Sequence, residues 1–426
     1  MKWAMRVLSA RCSILAPVLS SLALALLAGP AQADPLPPEP TKAEQALHQH
    51  LLTLDTHLDT PASLVLPGWS IMAHHAVRDD GTQVDVPRME QGGLDGGFWA
   101  IYTPQGPLDP VHTRAARDYA FARAVAIHDM VAANPKAFAL ADRAADAAPI
   151  AASGRRVVFL SIENAWPLGD DPTLLQTFHA LGVRMAGFAH FKTNQFADSA
   201  TDAPKWDGLS PEGVQLLAQM NRLGVVPDLS HSSDRALDDA LRLSKTPVIL
   251  SHSGCRAVYD HPRNIDDAHL RALAAQGGVI QINSVYVKAL PQSAGRKAAL
   301  ADLEQRYPED RVLSVAERAD YLARRHRIDH DWPEVRAGFD DFMANLLHAL
   351  AIVGPDHVGI GMDWDGGGGV RGLEDVADLP RVTVALRRNG YGEADIAKIW
   401  SGNVLRVLAA AEAEAKKEQE KGQGAD

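Results

Sequence analysis

The chain has 426 residues, 46% of them hydrophobic and 22% charged, ordinary for a soluble globular protein and long enough for one large barrel or two domains. A formal net charge of −11 argues against a nucleic-acid partner, because polyanion binding rewards basic surfaces. Two cysteines, Cys12 and Cys255, are too few for a disulfide framework.

Residues 1–33 read as a secretory signal peptide. Lys2, Arg6 and Arg11 form a positive leader, Ile14 to Leu27 is mostly apolar, and Ala31-Gln32-Ala33 is a small-x-small cleavage signal before Asp34. The apolar stretch is short of the roughly 20 residues needed to span a bilayer, which disfavours an uncleaved anchor. The mature chain is therefore expected to be exported, to the periplasm or beyond, with no stable membrane anchor. Cleavage removes three basic residues and no acid, moving the formal charge from −11 to −14, and leaves Cys255 as the sole cysteine. Residues 34–45, Pro-rich and polar, read as a linker. Residues 411–426, rich in Ala, Glu, Lys and Gln, read as a charged tail, either a solvated helix end or disordered, with no following apolar segment to signal a lipid anchor.

Between these ends, short apolar runs alternate with amphipathic stretches of helical period, the pattern of repeated βα units. Strands are predicted near Leu51 to Asp59, Gly97 to Tyr102, Val157 to Glu163, Val183 to His190, Val225 to His231, Val248 to His252, Gly278 to Asn283 and His357 to Asp363. The fold class that follows is α/β, a (β/α)8 TIM barrel of the metal-dependent hydrolase type. Ser210-Pro211-Glu212 places a capping hydroxyl before a proline at a helix start, Leu216, Leu217, Met220 and Leu223 recur at helical spacing, and Gly224 ends the helix. A charged excursion from Lys288 to Arg336 follows the seventh strand and fits a lid, an interface element or a plain surface insertion equally well.

Catalytic groups of such barrels lie at the carboxyl ends of the strands, and the predicted ends carry chemistry. His57 and Asp59, two residues apart, point the same way if the strand alternates faces. Imidazole and carboxylate both suit zinc, although a lone His-x-Asp is more often a surface pair. Glu163 ends an apolar run where a bare carboxylate is costly to bury; a metal pair or an arginine would relieve it. Asp228-Leu-Ser-His231 and Ile249-Leu-Ser-His252 form a near-repeat 21 residues apart, so two imidazoles emerge from successive βα units. At the eighth strand the glycines permit close packing, and Asp363 is placed to shuttle protons beside the metals. Asp365, followed by glycines, reads as a turn former. His190 closes the fourth strand, and Arg263 is a natural carboxylate clamp for an anionic substrate, yet chemistry alone reads both more readily as surface or core residues.

In order along the chain stand His57-x-Asp59, Ile162-Glu163, Leu181-Gly-Val-Arg184 through Ala189-His190, and Gly208-Leu-Ser-Pro-Glu-Gly213. They continue with Met220 through Ser230-His231, Ser251-His252-Ser253, Arg263-Asn264 and Gly359-Ile-Gly-Met-Asp363-Trp-Asp-Gly366. Over residues 46–410 this set resembles the membrane dipeptidase (renal dipeptidase) family, peptidase family M19. The resemblance implies a barrel domain with two zinc ions, often in a homodimer, that hydrolyses dipeptides and tolerates a D-residue at the carboxyl-terminal position. It implies that His57 and Asp59 bind one zinc, His231 and His252 the other, and that Glu163 bridges them. His190, Arg263 and Asp363 fall at the family's substrate and proton-transfer positions.

The expected reaction is attack of a metal-bridging hydroxide on the peptide carbonyl, with His190 stabilising the developing charge, Asp363 carrying the proton and Arg263 holding the substrate's carboxylate. Hydrolysis of N-acyl amino acids or related amides is the alternative within the hydrolases. A metal- or peptide-binding protein without catalysis is the alternative of another class, opposed by the intact Asp363 and ligand set. Asn164-Ala165 depart from the two glycines that commonly follow the family's bridging glutamate and add side chains beside the expected metals, which leaves the pocket width and substrate preference open.

Overall fold

The computed structural model describes residues 37–308, 311 and 313–423. The expected signal peptide, the first residues of the expected linker and the last three residues of the tail lie outside the described residues. Among those described, no helix is long and apolar enough to cross a membrane.

Eight parallel strands run in chain order around a nearly closed barrel: β1 (Leu54–Leu58), β2 (Gly96–Ile101), β3 (Arg156–Ile162), β4 (Val183–Gly187), β5 (Val226–Asp228), β6 (Ile249–Cys255), β7 (Val279–Ile282) and β8 (Val358–Ile360). These are the strands predicted from the apolar runs, with ends displaced by a few residues. Two short strands lie outside that reading, Phe138–Leu140 beside β3 and Asn264–Ile265 beside β6. Every residue of β1 and β2 is buried, as expected of parallel strands covered on both faces. Leu54, Phe98, Phe159, Met185, Val226, Ile249 and Val279, one from each of β1 to β7, form an apolar cluster at the amino-terminal end of the barrel. Phe98 and Phe159 stack there at 4.9 Å between ring centroids. The opposite end is left for polar chemistry.

No ladder pairs β8 with β1. The seam is joined by single bonds: Asp59 N–H donates to Trp364 O at 2.9 Å, Thr56 Oγ1 to Ile360 O at 3.2 Å, and Met362 N–H to the Asp55 carboxylate at 3.1 Å. Gly361 faces this crossing, and a Cβ there would lie 1.9 Å from Ser251 O. Only glycine lets the chain pass so close.

Helix α1 (Lys42–His50) begins inside the segment read as a linker, because Thr41 and Glu44 cap it reciprocally: Thr41 Oγ1 accepts from Glu44 N and Glu44 Oε2 accepts from Thr41 N. Helix α2 (Pro211–Leu223) starts at the Ser210 cap and ends at Gly224 as predicted. The excursion folds into two helices, α3 (Ala294–Arg306) and α4 (Val315–Asp331), around a small cluster of Leu303, Tyr307 and Ile328. The last helix, α5 (Asn403–Gln423), extends through most of the segment read as a tail. Ala411 belongs to the amino-terminal cluster of the barrel with Val404, Val407 and Leu408, and Ala415 is also buried, so small apolar residues dock this helix instead of leaving it in solvent.

His48 fastens α1 to the barrel. Its Nε2 meets Gly92 O at 2.8 Å and its Nδ1 meets Thr383 Oγ1 at 2.7 Å, while Trp400 Nε1 donates to the same hydroxyl at 2.8 Å. A carbonyl accepts only, so Nε2 carries the proton; Thr383 then accepts from Trp400 and donates to a bare Nδ1. Burial pushes the His48 pKa down to about 4. The unfolded chain therefore binds a proton that the folded chain refuses between the ordinary imidazole value and about 4, and stability falls as pH drops through that window. Urea unfolding of the wild type from pH 7 to pH 4 is expected to lose on the order of 3 kcal/mol through this group. The loss should be smaller in His48→Gln, and equal slopes in the two proteins would remove His48 as its source.

Candidate active site

Beyond the carboxyl ends of the strands the predicted site residues converge. His57 lies in β1 and Asp59 just past it, Glu163 follows β3, His190 follows β4, His231 follows β5, His252 lies in β6 and Asp363 follows β8. All are buried. The two oxygens of Glu163 face different groups. Oε2 lies 3.5 Å from His57 Nε2, which is itself 3.5 Å from Asp59 Oδ2 and 4.0 Å from Asp363 Oδ1. Oε1 lies 3.2 Å from His231 Nε2, 3.3 Å from His190 Nε2 and 3.6 Å from His252 Nε2. One carboxylate thus separates two half-sites.

The electrostatics divide the imidazoles. Burial opposes a charge on His57, but the carboxylates of Glu163 and Asp59 outweigh it and hold its pKa well above the usual value. Burial, with the Arg263 charge behind it, drives His231 well below the usual value, and His190 down to about 3. Burial and the His57 charge do the same to His252. These three rings are neutral and keep a lone pair to offer. Burial raises Glu163 to about 7, with the Asp59 charge adding to it, and Asp363 to about 6.

The donor set fits metal ions. Three overlapping groups, His57-Glu163-His252, Glu163-His190-His231 and His57-Asp59-Asp363, each bring one ligand atom per residue within 4.8 Å of the others. Both ring nitrogens of His57, Asp59 Oδ1 and Glu163 Oε2 are buried without a hydrogen-bond partner, which is costly unless a cation satisfies them. His231 Nε2 and His252 Nε2 approach to 2.8 Å, two nitrogens aimed at nearly one point. Imidazole nitrogen with carboxylate oxygen suits zinc and its first-row neighbours.

Several contributors were not singled out in the sequence. Asp228 accepts from Ser230 N and Ser251 N at 2.9 Å and from Ser251 Oγ at 2.5 Å, and Ser251 Oγ lies 2.9 Å from His252 Nδ1. With its own proton given to Asp228, the serine accepts from Nδ1–H, leaving Nε2 bare toward the site. The near-repeat of Ser-His held this signal, since both serines serve the same aspartate. Asp55 accepts from His57 N at 2.9 Å, so one buried carboxylate holds both the first ligand strand and the seam.

Asp365 does more than form a turn. Its backbone is left-handed at φ 65°, as is that of Asp363 at φ 66°, and its carboxylate accepts from Thr60 Oγ1 and Gln83 N, both at 2.6 Å. A Cβ on Gly366 would fall 2.1 Å from Asp59 Oδ2 and 2.2 Å from Asp363 Oδ1, so glycine is required beside the acids. Asn164 and Ala165 are not part of the lining of the cavity that holds His190. Both are fully buried, and the Asn164 amide is spent on Thr103 O, Trp166 N and Asn194 Nδ2, tying neighbouring loops together.

Arg263 is buried, donating to His252 O at 3.0 Å and lying 5.2 Å over the Tyr286 ring, with Nε unpartnered and no ion pair among the described residues. Its other terminal nitrogen donates to Ser253 Oγ at 3.4 Å, and a buried guanidinium without a carboxylate partner is suited to meet an anion. On the other side of the mouth, Phe191 is 47% exposed, its ring centroid 4.0 Å from that of His190.

The sequence profile of the family described as membrane dipeptidase (Peptidase family M19) matches residues 41–422. A dipeptidase, tcpJ, of Claviceps purpurea (strain 20.1) is 32% identical over 338 residues, covering 78% of this chain and 70% of its own. The crystal structure of the probable dipeptidase PvdM from Pseudomonas aeruginosa aligns at TM-score 0.74 and 30% identity over 88% of this chain and 98% of that one. A metallo peptidase from Rhodobacter sphaeroides, crystallised with a phosphinate mimic of the dipeptide L-Ala-D-Ala, aligns at TM-score 0.66 and 26% identity over 85% of this chain and 99% of that one.

Removing the Ser251 hydroxyl isolates its contribution. Ser251→Ala keeps both backbone bonds to Asp228 but frees His252 Nδ1, and metal affinity is expected to fall by about 10–100-fold with the fold intact. Competition with a chromophoric chelator measures this; wild-type affinity in the variant would show that Ser251 does not orient the ring.

Proposed function

Because the chain belongs to the membrane dipeptidase family, peptidase family M19, and is a metallopeptidase acting on peptide bonds, we propose that it is a zinc-dependent dipeptidase using a metal pair. His57 and Asp59 would hold one ion, His231 and His252 the other, and Glu163 would serve both. The observation that carries this is the division of the Glu163 oxygens, one 3.5 Å from His57 and the other 3.2 Å from His231. Bound there, the ions would polarise the scissile carbonyl and lower the pKa of water so that hydroxide is available at neutral pH.

The remaining residues bind, orient and move protons. Arg263 takes the substrate's terminal carboxylate through the fork that no protein carboxylate occupies. His190, kept neutral by burial, donates Nε2–H to the carbonyl oxygen as negative charge develops there. Asp363, which follows β8 and lies 4.0 Å from His57 Nε2 beside the ligand cluster, is placed to take a proton from the attacking water and return it to the leaving amine. Dipeptides with a D-residue at the carboxyl end belong to the proposed substrate range. Support comes from the L-Ala-D-Ala mimic held by the Rhodobacter sphaeroides relative.

Export to the periplasm or beyond is proposed on the basic, apolar and small-x-small pattern of residues 1–33.

Asn tolerates the left-handed backbone of Asp363, so Asp363→Asn removes the proton carrier without straining the loop. It is expected to lower kcat by about 10²–10⁴-fold while metal analysis still finds about two zinc ions per chain. Release of amino acids from L,L and L,D dipeptides, with and without chelator, reads the activity; unchanged turnover would remove Asp363 from this role, and absence of bound metal in the wild type would overturn the site.

A further inference from the structure

We propose that α3 of the 288–336 excursion forms the outer wall of the subsite for the substrate's amino-terminal residue, and that this subsite takes a large, mainly apolar side chain. The inference rests on the dipeptidase reading above and adds to it the side from which selectivity is imposed. It begins from a cavity of about 550 Å³ whose lining includes Tyr102, His190, Phe191 and Lys192 from the barrel loops and Ala301 and Glu304 from α3. The cavity therefore shares His190 with the catalytic cluster and is closed on its far side by the excursion.

Barrel order sets which end of a substrate reaches it. Tyr102 follows β2, and His190 to Lys192 follow β4, whereas Arg263 follows β6 and stacks over Tyr286 beyond β7. With the strands in sequential order around the ring, these two regions face each other across the Glu163 cluster. A dipeptide with its carboxylate at Arg263 and its scissile carbonyl at the cluster extends its amino-terminal residue toward β2 and β4, into the cavity. Half-exposed phenyl surface at Phe191, packed on His190 and 5.1 Å from the His231 ring, offers an apolar floor beside the reacting atoms. Lys192 and Glu304, with no ion pair among the described residues, leave the rim polar.

The wall is a fixed element. Arg296 of α3, itself buried, pairs with Asp329 of α4 at 2.8 Å and donates to Trp332 O at 2.8 Å. Leu303 packs in the small cluster with Tyr307 and Ile328. Lys288 pairs with Asp341 at 2.7 Å where the excursion leaves the barrel, and Arg318 of α4 lies 3.5 Å from Asp80 on a barrel loop. A helix tied to α4 through Arg296 and Leu303, in an excursion pinned to the barrel through Lys288 and Arg318, sets a distance to Phe191 that limits side-chain size.

Ala301 is exposed on α3 and outside the catalytic groups, so Ala301→Trp fills the cavity without disturbing a core. Zinc-loaded wild type and variant are compared on Gly-Ala, Phe-Ala and Trp-Ala, with Ala-Phe and Ala-Trp as the opposite series. The variant is expected to lose about tenfold or more in kcat/KM on Phe-Ala and Trp-Ala, mostly through KM, and to stay within about twofold on Gly-Ala, Ala-Phe and Ala-Trp. Uniform loss, loss confined to the Ala-Phe and Ala-Trp series, or no loss would each overturn the subsite. A wild type that binds zinc yet cleaves none of the five dipeptides would overturn the dipeptidase reading first, and the subsite with it.

Discussion

Glu163, Asp59, Asp363 and four imidazoles are buried within a few ångströms of one another, and no such cluster is stable as bare charges and lone pairs. An ionised carboxylate removed from water costs several kcal/mol unless cations or donors replace the lost solvation. His57 shows the tension: burial disfavours its charge, yet the facing carboxylates force it on, so a proton does part of what a metal cation does better. The neighbouring rings answer in the opposite sense and stay neutral. A donor set of three acids and four imidazoles around a carboxylate with two differently directed oxygens suits bound cations, and the membership in a metallopeptidase family agrees.

Holding that cluster explains features of the barrel that packing alone does not. The seam between β8 and β1 has no ladder and is tied through Asp55, which serves the His57 backbone and the Met362 backbone together. Two left-handed aspartates and a glycine with no room for a Cβ then turn the chain so that Asp363 emerges beside Asp59 while Asp365 reaches back to Thr60 and Gln83. Residues with positive φ and side chains cost backbone energy. They occur here where a carboxylate must be aimed, and Asp365 offsets the cost through two short hydrogen bonds.

Most of the strands were legible because a parallel strand covered on both faces tends to be written as an apolar run, as in Arg156–Ile162, whereas β1 carries Asp55, Thr56 and His57 in its buried length. The gathering of His57, Asp59, Glu163, His231 and His252 at one end of the barrel was legible because they stand at or near the ends of such runs, where hydrophobic burial stops and polar groups begin. Asp228 and Asp365 were hidden for a physical reason: an aspartate that accepts from backbone amides and hydroxyls looks in sequence like any turn former, and only the fold shows which donors it meets. The start of α1 and the docking of α5 through Ala411 and Ala415 were hidden for another. Proline-rich and Ala/Glu/Lys-rich composition describes the exposed side of these segments, whereas His48, Ala411 and Ala415 attach them by a few small or polar contacts that carry little hydrophobic signal.

The excursion could not be read at all, since the apolar side chains its charged helices bury are few, Leu303, Tyr307 and Ile328, and these pack with one another. Its meaning comes from position. The strand ends supply groups whose distances are set by the barrel and tolerate almost no variation, as the glycine at 366 illustrates. A helix that stands off from those ends touches the substrate without touching the metals, and its side chains can change volume or charge without altering a ligand distance. Chemistry and selection are thereby carried by different parts of the chain: His57 to Asp363 set what bond is attacked, and the wall across from Arg263 limits what is attached to it.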